Sequence, residues 1–160
     1  MSRIAEGTSI NVSYFLPPFA RFRLYTYPRP DDPDALREDC FWSAMNFFNE
    51  KPDNRLFDPT YKDKQLSAEY MRVKPESRQF GDLLLLLGPN HDALHMCVYI
   101  ADEVVFTKNG ANVIQPWVLM KIPEMLGIYN RLRPFSIVFY RRKNPPAPDG
   151  TMLSQAQAPR

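Results

Sequence analysis

The chain has 160 residues, of which 44% are apolar, and 20 basic against 18 acidic side chains give it a formal charge of +2. This is the usual size of one domain with a core of its own, so a chain that is disordered throughout is excluded. The small charge does not favour nucleic-acid binding, and two cysteines are too few for a disulfide scaffold. We expect no membrane span, because the longest apolar run is far too short. No signal peptide is visible, but the compartment stays open because a removed signal would leave the same sequence.

The first half of the chain predicts one strand and two helices. The alternation in "RFRLYTY", residues 21–27, favours a strand, and a short helix is expected near "LSAEYMRV", residues 66–73. The main helix is predicted within "PDALREDCFWSAMNFFNE", residues 33–50, because apolar side chains recur there at helical spacing. Those side chains are Phe41, Ala44, Met45 and Phe48.

After residue 80 the pattern changes to strands. Four segments are short, apolar and rich in β-branched or aromatic residues, and a turn is expected near Ala101 and Asp102. The segments are "DLLLLL", "ALHMCVYI", "EVVFT" and "FSIVFYRRK". Between the last two, "PWVLMKIPEMLGIY" is predicted to be helical in part, with Pro123 breaking or kinking it.

A helix followed by antiparallel strands predicts an α+β fold. We expect one domain over residues 1–143 and a disordered tail over residues 144–160, where proline and alanine are abundant.

Both histidines of the chain lie in "HDALH", residues 91–95, which resembles the zinc-peptidase pattern H-E-x-x-H. That pattern needs a helix to bring both rings to one side. Gly88 and Pro89 precede the segment and a strand-like run follows it, so a helix is not expected. The sequence therefore predicts neither a metal nor another cofactor, and His91 is expected in a turn.

Cys40 is the candidate nucleophile. It follows Asp39, a residue type that favours the N-cap of a helix, and it lies off the apolar stripe, where it can face a cleft. A helix start lowers the pKa of a thiol through its unpaired N–H groups. The alternative is that residues 33–38 extend the helix and place Cys40 inside it, which would weaken this effect.

His95 is the candidate base. Alternation along its strand places His95, Cys97 and Tyr99 on one face. A hairpin centred on Asp102 pairs Ile100 with Val104, and the same register sets Cys97 opposite Thr107 and His95 opposite Asn109. Asn109 could then fix the tautomer of the imidazole as the third member of a triad, with Thr107 in reserve.

These segments resemble the NlpC-type cysteine peptidases of bacterial cell-wall turnover, which have a papain-like fold. The resemblance is carried by Asp39-Cys40 at a helix start, by "FGDLLLLL" and by "LHMCVYIADEVVFTKNG", and it covers roughly residues 37–110. The family has serine and glycine after the cysteine, whereas this chain has Phe41 and Trp42.

The resemblance implies a thiol hydrolase that cleaves an amide bond, with peptide or cell-wall peptide as its substrate. It implies a triad of Cys40, His95 and Asn109, with the backbone N–H of Cys40 contributing to an oxyanion hole. We expect Asp39, Tyr27 and Trp42 to line the substrate cleft. Two alternatives remain open, a catalytically silent binding module on the same fold and an acyltransferase or thioesterase.

Overall fold

The computed structural model describes residues 11–144, so the expected disordered tail lies almost entirely outside the described residues. Within this range the fold is α+β, with four α-helices and a six-stranded antiparallel sheet. No helix in the range is long and apolar enough to cross a membrane.

Helix α1, Pro18–Arg23, replaces the strand predicted over residues 21–27, and that prediction is wrong. Pro18 occupies the first position of α1, where its missing N–H costs nothing. Phe19 and Ala20 are buried in the core, so packing against the rest of the molecule outweighs the alternating pattern. Only an isolated bridge between Leu24 and Trp117 joins this segment to a strand.

Helix α2, Cys40–Met45, is shorter than predicted. The upstream residues form a separate 3-10 turn, Ala35–Arg37, and Asp39 is extended, so the helix begins at Cys40. It ends at Met45, and the side-chain amide of Asn46, the cap residue, donates to the carbonyl oxygen of Trp42 at 3.1 Å. The alternative in which Cys40 lies inside a longer helix is therefore excluded.

Helix α3, Pro59–Glu69, leads directly into strand β1, Tyr70–Val73. The segment predicted as one short helix over residues 66–73 thus contains the end of a helix and a strand. Asp58 caps α3 by accepting from the N–H of Thr60 at 2.9 Å.

All four strands predicted after residue 80 are confirmed, and one more is present. In chain order they are β2, Leu83–Leu87; β3, Ala93–Ala101; β4, Val104–Lys108; β5, Trp117–Lys121; and β6, Ser136–Arg142. Strand β5 occupies the first half of the segment expected to be partly helical. The strand order is β1-β6-β2-β3-β4-β5, so β2 and β3 are interior strands, as their apolar runs require.

Helix α4, Ile122–Asn130, follows β5 without a loop. Pro123 lies in its first turn, where it starts the helix instead of breaking it.

The two sides of the sheet carry separate cores. On one side α2 packs against Met96, Val98 and Phe106, while on the other side Met125 and Tyr129 of α4 pack against Cys97 and Val105. Adjacent residues of a strand point to opposite faces, which explains this division.

The register predicted for the β3–β4 hairpin is confirmed where the strands pair. Val98 lies opposite Phe106 and Tyr99 opposite Val105, although a bulge makes Ala101, and not Ile100, the partner of Val104. The paired region begins at Val98 and Phe106, whereas β3 extends back to Ala93 and β4 extends on to Lys108. The backbone pairing of the two strands therefore stops before the end of each strand, which leaves an opening in the ladder beside Met96.

Candidate functional site

Cys40 begins α2 and is almost sealed from solvent, with 5% of its surface exposed. The cap predicted at Asp39 is present, because its carboxylate accepts from the N–H of Trp42 at 2.7 Å. The hydroxyl of Ser43 donates to the carbonyl oxygen of Asp39 at 2.7 Å and tightens the same turn. The helix start is thus well defined, but with only six residues α2 has a small dipole.

The Cys40 sulfur lies by the opening between β3 and β4. The N–H of Tyr99 donates to Asp82, which precedes β2, at 2.8 Å, so by alternation the N–H of Met96 points away from β2 toward β4. The N–H of Met96 lies close enough to the sulfur to favour the thiolate, as do the N–H groups of Cys40 and Phe41.

Burial nevertheless dominates and raises the pKa of Cys40 to about 11. The negative charge of Asp39 acts in the same direction. At neutral pH the resting group is therefore a thiol and not a thiolate.

His95 is fully buried, with both ring nitrogens bonded to hydroxyl groups. Its Nε2 lies 3.0 Å from Oγ1 of Thr107, and its Nδ1 lies 2.9 Å from the hydroxyl of Tyr129. The Tyr129 ring also stacks on the imidazole, with centroids 4.4 Å apart and an angle of 21° between the planes.

The contact between Thr107 and Asn109 favours one tautomer of His95. Thr107 has a single hydroxyl hydrogen, which it donates to Oδ1 of Asn109 at 3.3 Å. With this direction Thr107 accepts from Nε2–H, and Nδ1 is unprotonated and accepts from the Tyr129 hydroxyl; the other tautomer would reverse the direction of both bonds. We call this series of donors and acceptors, Tyr129 to His95 to Thr107 to Asn109, the hydroxyl chain.

Burial lowers the pKa of His95 to about 3. The imidazole is therefore neutral over the whole physiological range and its protonated form is costly. A general base works best when its pKa lies near the working pH, so the imidazole as buried in this structure, which we call the closed arrangement, is a weak base.

The structure brings the predicted triad only partly together. His95 lies on the face of the sheet that α4 covers, whereas α2, which begins with Cys40, covers the other face, and both ring nitrogens bond to hydroxyl groups and not to the sulfur. Thr107, the reserve candidate, contacts the imidazole directly, while Asn109 contacts Thr107 and reaches His95 only through it. Asn109 also donates to the sulfur of Met120 at 3.8 Å, which holds its amide in place.

Two residues near Cys40 were not anticipated from the sequence. Tyr129 comes from α4, and a charge on Cys40 or Cys97 raises its pKa further than burial alone. Lys108 is 0% exposed, and its ammonium donates to the carbonyl oxygens of Gly110 at 2.8 Å and Asn112 at 3.1 Å. Burial lowers the pKa of Lys108, and the negative charge of a Cys40 thiolate would raise it.

The residues predicted to line the cleft have different environments. Trp42 is 1% exposed and stacks on Phe57 with centroids 5.5 Å apart, so it is a core residue that a substrate cannot touch in this structure. Tyr27 is 58% exposed on the surface. Asp39 forms an ion pair with Lys62 at 3.5 Å beside the start of α2.

The second histidine takes no part in this arrangement. His91 lies in the expected turn with φ of 61°, and residues 91–95 form a turn and the start of β3, not a helix. Across residues 11–144, no group of three or more His, Cys, Asp and Glu side chains is arranged to hold a metal ion. Both cysteines are free thiols.

Comparison of the chain with protein-family models, with curated proteins and with solved structures finds no match.

Proposed function

We propose that the chain is a divergent papain-like, NlpC-type thiol hydrolase that cleaves an amide bond, with a peptide, such as a cell-wall peptide, as substrate. Cys40 is the nucleophile and His95 the base. The observation that supports the proposal is the imidazole of His95 held at both nitrogens in the hydroxyl chain, on β3, the strand whose Met96 N–H acts on the Cys40 sulfur.

The chemistry follows from the tautomer. With Nε2 as the protonated nitrogen, Nδ1 is the nitrogen that takes the proton from the Cys40 thiol. The sulfur then forms a bond to the carbonyl carbon, the carbon–nitrogen bond breaks, and His95 returns the proton to the departing amine. Water hydrolyses the thioester after giving a proton to His95, which passes it back to the sulfur.

In this scheme the Tyr129 hydroxyl blocks the base in the closed arrangement. Its hydroxyl occupies Nδ1 at 2.9 Å and has to leave before the imidazole can accept a proton. Admission of water at that moment would also relieve the burial that lowers the pKa of His95 and raises that of Cys40.

The second candidate is a catalytically silent binding module on the same fold. It is favoured by the sealed sulfur of Cys40 and by the pKa values of about 11 for Cys40 and about 3 for His95. A permanently closed pair with these properties cannot exchange a proton near neutral pH.

The rate of Cys40 alkylation as a function of pH separates the two candidates. A Cys97→Ala variant leaves Cys40 as the one cysteine, and mass spectrometry follows its modification by iodoacetamide between pH 5 and pH 11. A hydrolase that opens in solution gives an inflection below pH 8, whereas the silent module reacts appreciably only above about pH 10. The Cys40→Ala variant retains Cys97 alone and serves as the control.

A direct test uses purified peptidoglycan peptides with product detection by mass spectrometry. We expect new amine termini with the native chain, and their loss in the Cys40→Ala variant. Cleavage that persists without the Cys40 sulfur, or no cleavage together with an inflection above pH 10, overturns the hydrolase proposal.

A further inference from the structure

A cavity of about 210 Å³ opens between α2, α3 and the strands β2 and β3, and Phe41, the residue after Cys40, is part of its wall. Its walls run from exposed residues at the mouth, such as Pro59 and Ala93, to a buried floor. The floor is formed by Met45, Leu85 and Met96, all less than 8% exposed.

The cavity suits a neutral, apolar group. Its walls carry one basic side chain, Lys62, and one acidic side chain, Asp63, so neither sign is in excess. The Lys62 ammonium is already engaged, because it pairs with Asp39 at 3.5 Å and lies 5.1 Å from the centre of the Phe41 ring. An anionic ligand would find the one basic wall residue already paired, the one acidic residue, Asp63, is exposed at the mouth, and a charge of either sign would lose its hydration on the apolar floor.

The cavity is continuous with the surroundings of the nucleophile. Phe41 and Met96 supply N–H groups that act on the Cys40 sulfur, and the same two residues line the cavity. A group bound on this floor therefore contacts Met96, a residue whose own N–H acts on the Cys40 sulfur.

We propose that this cavity is a specificity pocket that takes one apolar side chain, between leucine and phenylalanine in size, from a residue next to the amide that Cys40 attacks. The volume sets the class, because apolar cavities of about 150 Å³ accommodate a benzene-sized molecule, whereas whole ligands need roughly 300 Å³ or more. The role of the cavity as a substrate subsite rests on the proposed function. The binding of an apolar side chain in the cavity does not depend on that function.

Binding can be measured without catalysis through the methionine methyl groups of the full chain. We would label the methionines with ¹³C and titrate N-acetyl-leucinamide, with N-acetylglycinamide as the matched probe that has no side chain. The methyl signals of Met45 and Met96, assigned from the Met45→Leu and Met96→Leu variants, should shift to saturation with the leucine probe only. Met125 packs in the core on the other side of the sheet, so its signal should not move.

Two exposed alanines provide a matched pair of variants. Ala93 lines the cavity, and Ala93→Leu should fill its mouth and weaken binding of the leucine probe at least tenfold. Ala68, on α3, does not line the cavity, so Ala68→Leu should bind as the native chain does. The variants' methyl spectra without probe show whether each of them is folded.

The outcomes separate the pocket from the proposed function. Saturable shifts that Ala93→Leu weakens and Ala68→Leu preserves support the pocket. If Cys40 also alkylates below pH 8 and the leucine probe slows that alkylation, the pocket is a subsite of the hydrolase. Saturable binding with a Cys40 that stays inert supports the apolar pocket and overturns the hydrolase. Absence of saturable shifts at Met45 and Met96, or equal shifts with both probes, overturns the pocket.

Discussion

Acid should destabilise this protein through His95 in particular. In the fold the pKa of His95 is about 3, whereas the unfolded chain has the ordinary value of 6.5. Between these two pH values the imidazole binds a proton in the unfolded state but not in the folded state. The free energy of unfolding therefore rises with pH across this window, and the contribution of His95 is complete only above pH 6.5.

The size of the stability loss follows from the difference between the folded and unfolded pKa values of His95. Each pH unit below 6.5 costs about 1.4 kcal/mol, so at pH 4.5 we expect a loss of about 2–3 kcal/mol from this one group. Domains are commonly stable by about 5–15 kcal/mol, which makes the loss measurable.

Urea unfolding followed by tryptophan fluorescence at pH 7.5 and pH 4.5 provides the assay. Carboxylates also titrate in acid, so we would compare His95→Gln with His91→Asn, which replaces the histidine of an exposed turn and leaves every carboxylate in place. The stability lost between the two pH values should be about 2–3 kcal/mol smaller in His95→Gln than in His91→Asn.

Equal losses in the two variants would show that His95 takes up its proton freely in the folded state, which contradicts its burial in the hydroxyl chain. A second readout does not depend on the variant. Nitrogen-15 spectra of the native chain should show one neutral imidazole protonated at Nε2 and unprotonated at Nδ1 down to about pH 4.

The remaining predictions concern the cap, two glycines and Tyr129. Asp39→Ala should lower the free energy of unfolding by about 1 kcal/mol because the N–H of Trp42 loses its acceptor, and Asp39→Asn should restore most of it, both by urea unfolding. Gly81→Ala should cost at least about 1–3 kcal/mol, since φ is +87° and the added carbon would lie 2.3 Å from a phenylalanine ring. Gly127→Ala, on α4 with open space around it, should instead raise stability by about 0.5–1 kcal/mol, and similar melting temperatures for the two variants would refute this contrast. Tyr129→Phe keeps the stacked ring but removes the hydroxyl from Nδ1 of His95, so iodoacetamide should alkylate Cys40 of the proposed hydrolase faster below pH 8. The Nδ1 resonance should also change, and an unchanged resonance would contradict the hydrogen bond.

Four of the six strands, β2, β3, β4 and β6, could be read from the sequence because their signals are local, whereas β1 and β5 lie in segments that were expected to be helical. The continuous apolar run of β2 and the alternation along β3 specify strands by themselves, and Asp102 and Glu103, both with positive φ, form the tight turn that sets the hairpin register.

The helices were less predictable because packing and caps decide them. The apolar stripe of α2 continues to Phe48, but the Asn46 side chain bonds to the backbone and ends the helix early. In α1 the burial of Phe19 outweighs a strand-like alternation. No periodicity in the sequence expresses either effect.

The site residues likewise divide into those that a local sequence signal indicates and those that only the packed fold brings together. Cys40 and His95 could be proposed because Asp39 caps a helix and strand alternation orients the imidazole. Tyr129 could not, because its contact with His95 depends on where α4 begins and on which face of the sheet it covers. The burial that moves the pKa values of both groups is likewise a property of the assembled core.

The burial of Cys40 and Cys97 has a practical consequence for handling the protein. With 5% and 0% of their surfaces exposed, these two cysteines, the whole complement of the chain, present almost no sulfur to a second molecule while the fold is closed. Air oxidation should not crosslink the native protein into covalent dimers. In the Cys40→Ala variant, which retains Cys97 alone, an aromatic disulfide reagent should release its chromophore only as the chain unfolds, so the sulfhydryl count measures how much protein has lost its structure.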